Sequence, residues 1–170
     1  MISHVIFVFL FSCAAFFDTV YMRIPNILSI LLLLLFVVAI GVSPGGIEWL
    51  GHSITGTAVF AVGAICFYLG YWGGGDVKLY AAGALWMGPD LILPFLVWVS
   101  LLAGLVALLL LGLRRIARLR TVARGGGMGT SLAPGLPRVL MADAGVPLGL
   151  PLAAAAILLS DRISPAFWLF

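Results

Sequence analysis

Long apolar runs, separated by short clusters of Gly, Pro and polar residues, dominate the chain. Val5 to Phe17, Ile27 to Val42 and Ile54 to Tyr71 are the first three. The second opens after Pro25-Asn26 and closes at Ser43-Pro44-Gly45-Gly46, and the third stops at three consecutive glycines; both are ordinary helix punctuation. Val77 to Met87 is shorter, closed by Gly88-Pro89, and its Ala81, Ala82, Gly83 and Ala84 suit close approach to neighbouring helices. Leu91 to Leu113 is the clearest span, and Val146 to Leu159 is a weaker sixth, interrupted by Pro151. The pattern predicts an all-α, polytopic membrane bundle of about six transmembrane helices, one domain over residues 1–170. The Gly/Pro-rich stretch from Arg124 to Pro147 is expected to be irregular.

Composition strengthens this reading. Hydrophobic residues make up 64% of the chain and the mean hydropathy is +1.25, whereas soluble domains are about 45–50% apolar. At spans of about 17–25 residues each, no room remains for a separate soluble domain. Val5 to Phe17 is short enough to resemble a secretory signal, but no Lys or Arg precedes it and the chain beyond keeps spanning, so a retained first helix is expected.

Charge sets the orientation. The formal charge is +3, but the basic residues are sparse and concentrated between Arg114 and Arg124, which fits a topology signal on anionic lipid rather than nucleic-acid binding. With the N-terminus outside, Arg23, Lys78, Arg114, Arg115, Arg118, Arg120, Arg124 and Arg138 all fall in cytoplasmic loops, and Arg162 alone falls outside. Cys13 and Cys66 lie inside apolar runs without a Cys-x-x-Cys pair and read as small packed residues. His4 and His52 belong to the outer side at no ligand spacing, so no metal site and no cofactor are expected. The five Trp and four Tyr fall mostly near span ends and read as an interfacial belt.

Two acids stand out against this background. Asp18 and Asp76 each end or follow a long apolar run, and an ionisable group there is costly and usually functional. The predicted topology puts both at the cytoplasmic face. Two carboxylates close enough to share a proton can activate water with one and polarise a carbonyl with the other. Gly73, Gly74 and Gly75 would let a substrate strand approach the backbone, and Asp76 would start the next helix, where the dipole favours an anion. Taken singly, each acid has a plainer reading: Asp76 as a helix N-cap, and Asp18 as a helix-end partner of Arg23. Lys78 fits either a substrate-orienting role or a snorkelling interfacial lysine.

The segments Asp18-Thr-Val-Tyr-Met-Arg-Ile-Pro-Asn26 and Gly73-Gly-Gly-Asp-Val-Lys78 resemble, in order, the two active-site motifs of the type IV prepilin peptidases, the bacterial branch of the GxGD membrane aspartic proteases. The resemblance implies a multi-span inner-membrane endopeptidase that removes the leader of prepilins or pseudopilins at the cytoplasmic face, for pilus assembly or protein secretion. It implies Asp18 and Asp76 as catalytic residues, with Gly73, Gly75 and Lys78 as motif support. The small size resembles the short branch serving tight-adherence pili. Larger members also N-methylate the new terminus and carry a cytoplasmic region with paired cysteines that is not seen here, so peptidase activity alone is expected. Where the family often has Pro-Tyr-Gly, this chain has Pro147-Leu148-Gly149. The competing readings are another GxGD enzyme such as a preflagellin peptidase, a proton-coupled transporter, and a non-catalytic assembly subunit; transporters usually show internal repeats, which this sequence lacks.

Overall fold

A chain this apolar has to satisfy its backbone polar groups internally, and helices do so within each segment. The computed structural model describes residues 2–42, 48–123, 145–163 and 165–168. It is all-helical: α1 Ile2–Tyr21, α2 Asn26–Val42, α3 Trp49–Tyr68, α4 Gly74–Ala123, α5 Gly149–Ser160 and a 3-10 turn at Pro165–Trp168. Three stretches, Ile2–Tyr21, Trp49–Tyr68 and Gly74–Ile116, are long and apolar enough to cross a membrane, and α2 and α5 are shorter apolar helices. The irregular stretch expected after Arg124 lies mostly outside the described residues.

Local chemistry accounts for most boundaries. α1 ends where Met22 takes a left-handed backbone (φ 52°) while its N–H still donates to the Asp18 carbonyl at 2.9 Å, a common helix terminus. Pro25 then keeps Ile24 out of the helical region, and α2 begins at Asn26. α4 is broken at Gly88 (φ 64°, ψ −172°), directly before Pro89. A Cβ on Gly88 would also collide with the His52 ring.

The break folds α4 into two arms, 74–87 and 89–123. A Cβ on Gly83 would lie 2.8 Å from Phe95 Cζ, although twelve residues of straight helix span about 18 Å. The second arm therefore returns along the first, and the expected boundary between the fourth and fifth apolar segments is this fold. One expectation is corrected at α5: Pro151 does not interrupt the helix. It lies in the first turn, where Leu152 N–H makes the opening bond to the Leu148 carbonyl and a missing N–H costs nothing.

α5 is the centre of the bundle. It packs against both α1 and α4, burying Leu152, Ala153, Ala155, Ala156 and Leu159, and its alanines permit that close approach. α3 lies along α4 through a close glycine seam: Gly56 and Gly63 are its buried residues, and Cβ atoms there would sit 3.0 Å from Leu85 Cβ and 2.9 Å from Val77 Cγ1. Replacing Gly63 by Leu is expected to force α3 from α4 and cost about 1–3 kcal/mol. The unfolding midpoint of the purified protein in detergent measures this, and an unchanged midpoint would contradict the seam.

The aromatic belt is also corrected in part. Trp86 is fully buried, donates from Nε1 to the Leu32 carbonyl at 3.0 Å and stacks on Trp168 at 5.5 Å. With Phe7, Phe36 and Phe167 it forms an aromatic core at the end of the bundle holding His4 and His52. A position near a span end does not separate a lipid-facing ring from one turned inward.

Candidate active site

At the opposite end of the bundle, the last turn of α1 carries Asp18, the only acid in that helix and only 6% exposed. A buried carboxylate needs hydrogen-bond donors, and one comes from the start of α5: Gly149 N–H donates to Asp18 Oδ2 at 2.6 Å. The first amides of a helix have no partner within it and lie at the positive end of its dipole, which suits an anionic acceptor. The approach is so close that a Cβ on Gly149 would stand 2.8 Å from Asp18 Cβ and 2.9 Å from Oδ2. Only glycine fits without displacing the carboxylate. Asp18 and Arg23 form no ion pair, so the helix-end partnership considered from sequence is replaced by this backbone bond.

Asp76 is positioned by its own helix start. The Gly73 carbonyl accepts from Val77 N–H at 3.2 Å, which makes Gly73 the residue before the helix and Asp76 the third within it. From there the carboxylate folds back to the Gly73 amide, the reach of an acid at this position in a capping box. A Cβ on Gly73 would lie 2.8 Å from Asp76 Oδ2, and one on Gly75 would lie 3.2 Å from Ile24 Cβ and 3.3 Å from its carbonyl oxygen. The glycines thus let the start of α4 settle directly against the 22–25 loop that follows α1. That contact carries Asp76 to within electrostatic reach of Asp18.

The structure therefore gathers Asp18, Asp76, Gly73 and Gly75. Lys78 is apart from them. Two residues beyond Asp76, it projects from the other side of α4 at about 100° per residue, and its Nζ donates to Asn26 Oδ1 at 3.0 Å. Two neighbours were missed in the sequence. Gly149 stands in the sequence only as part of a Pro-x-Gly segment, and the signal it offers is a glycine at a helix start on the same predicted face as the acids. Tyr80, one turn after Asp76 and within reach of its charge, is buried, stacked on Trp72 at 5.0 Å and set edge-on to Phe95 at 6.0 Å. It walls the site with aromatic surface and carries its hydroxyl there, whereas its sequence position suggested only a belt residue.

Chemically, the arrangement combines two neighbouring carboxylates, apolar walls and a glycine backbone. These are components of acid–base hydrolysis. Among the described residues, no group of three or more His, Cys, Asp or Glu side chains comes together.

The sequence matches the model of the type IV leader peptidase family over residues 5–108. The matched stretch includes Asp18, Ile24, Gly73 to Asp76 and Tyr80, and ends before Gly149. No match was found among curated proteins or among solved structures.

Proposed function

The chain belongs to the type IV leader peptidase family and is a membrane protease, and from that premise we propose that it is an aspartic endopeptidase that removes the leader of prepilins or pseudopilins, with Asp18 and Asp76 as its catalytic pair. One observation carries the assignment: the buried, sole acid of α1 has a second carboxylate within electrostatic reach. The pair shares a proton, so the roles of base and acid belong to both together. The ionised carboxylate takes a proton from water as its oxygen attacks the scissile carbonyl carbon. The protonated carboxyl donates a hydrogen bond to the carbonyl oxygen, where negative charge develops. Collapse of the tetrahedral intermediate breaks the C–N bond, and the leaving amine takes the proton. Gly73 leaves room for the Asp76 carboxylate to fold back, and Gly75 lets the start of α4 close on the 22–25 loop, which keeps the two acids together.

Incubating the purified chain with a prepilin of the tight-adherence type tests the reading. A free leader peptide and a new pilin amino terminus, identified by mass spectrometry, are the expected products. An intact prepilin under conditions where another leader peptidase cuts it would reject the substrate assignment.

The basic residues support a bacterial inner-membrane, multi-pass topology with the N-terminus outside and the acid pair at the cytoplasmic face. Tyr71 is exposed beside the Gly73–Asp76 turn, and Glu48 is exposed before α3, at the other end of that helix. In a background lacking Cys13 and Cys66, an impermeant thiol reagent should label Glu48→Cys in spheroplasts and Tyr71→Cys only after lysis. Labelling of Tyr71→Cys without lysis would reverse the orientation.

A further inference from the structure

A groove of about 680 Å³ lies between α2, α3 and the first arm of α4. Its sides are apolar, with Ile30, Leu33 and Val37 from α2 and Phe60 from α3. These four side chains are also among the exposed large hydrophobic residues, so the groove opens onto surface that a bilayer would cover. Asn26, Ser29 and Lys78 line it where α2 begins, and Ser53 and Thr57 add hydroxyls from α3.

Two of those groups lack the partners their chemistry calls for. The Ser29 hydroxyl is buried and has no hydrogen-bond partner, which is uncommon for a buried polar group. The Lys78 ammonium has three N–H donors, gives one to Asn26, and has no acidic partner within ion-pair distance among the described residues. The groove therefore presents an apolar trough, an unused hydroxyl and an uncompensated cation. That chemistry matches a ligand with an aliphatic tail, an ester-type acceptor and an anionic head.

Helical geometry separates the groove from the acid pair. At about 100° per residue, Lys78, Ala82 and Leu85 share one face of α4, and Asp76, Tyr80 and Gly83 lie on the opposite one. Neither Asp18 nor Asp76 lines the groove. The surrounding membrane is the nearer source of a chain that fills it.

We propose that this groove binds an anionic phospholipid, with an acyl chain along Leu33, Val37 and Phe60, an ester carbonyl accepting from the Ser29 hydroxyl, and the headgroup phosphate on Lys78. A lipid so placed would tie α2 to α4 beside the 22–25 loop, on the far side of that loop's contact with Gly75.

The test uses the purified full-length chain in neutral detergent with phosphatidylglycerol bearing a photoactivatable group in one acyl chain, compared with the same phosphatidylcholine. Cross-links should map to residues 29–40 and 53–60 and favour phosphatidylglycerol. Lys78→Gln should lower phosphatidylglycerol labelling there about fivefold, the effect of one interfacial cation, and Ala81→Phe, which fills the groove, should abolish labelling by either lipid. Lys78 is exposed, so its variant decides the matter alone if Ala81→Phe does not purify as a folded protein. Asp18→Asn should label like wild type, which separates this result from the fate of the peptidase assignment. Cross-links elsewhere, equal labelling by the two lipids, or wild-type labelling of Lys78→Gln would overturn the proposal. Displacement of the bound lipid by a prepilin peptide would overturn it too, by giving the groove to the substrate.

Discussion

Asp18→Asn and Asp76→Asn are each expected to lower the rate of leader cleavage by about 10²–10⁴-fold, the usual contribution of a positioned acid or base. Asparagine keeps the planar shape of the side chain, and its amide oxygen can still accept the Gly149 N–H that Asp18 Oδ2 accepts at 2.6 Å. What it removes is a group that can take or give a proton. The fold should survive, because the bundle is built on α5 and the aromatic core around Trp86 rather than on either charge. Comparable expression, detergent stability and helical content, alongside the lost cleavage, would locate the effect in chemistry. Near-normal cleavage by either variant would remove that acid from the mechanism.

Gly149→Val is the second change with a large expected effect, although Gly149 carries no reacting group. Its Cβ would stand 2.8 Å from Asp18 Cβ and 2.9 Å from Oδ2, so the added atoms collide with the catalytic side chain itself. Either α5 moves out or the carboxylate rotates away from Asp76, and a displacement of about 1 Å at a reacting group can cost about 10²-fold in rate. The loss should appear mainly in kcat, with KM for a prepilin changed much less. Gly104→Val is a suitable control, because a Cβ at that position has nothing within 4 Å and the variant should cleave like wild type. Equal activity of Gly149→Val and Gly104→Val would show that Asp18 does not depend on the start of α5.

Much of the helical layout was legible because membrane helices are apolar runs with Gly and Pro at their ends. Gly88-Pro89 marks the fold in α4, and Pro25-Asn26 marks the start of α2. What remained hidden was which face of each segment turns inward. Trp86 and Tyr80 look like belt aromatics by position yet are buried, since in a chain this apolar neither composition nor periodicity separates a core face from a lipid face. Pro151 looked disruptive because a proline harms a helix everywhere except its first turn, and the start of α5 at Gly149 is not apparent from the run beginning at Val146. The acids were conspicuous for the opposite reason, as rare charges in an apolar chain. Gly149 was not, because a backbone amide leaves no mark in a sequence; only the distance to Asp18 reveals its part.

The central claim is that Asp18 and Asp76 act as one unit, and the most direct measurement is the cleavage rate of the Asp18→Asn, Asp76→Asn and doubly substituted proteins on one prepilin. Groups that share a single chemical step are strongly non-additive. The account predicts that the double variant retains the same residual rate as either single one. Two partial losses that multiply in the double variant would mean that the carboxylates contribute separately, and would contradict it.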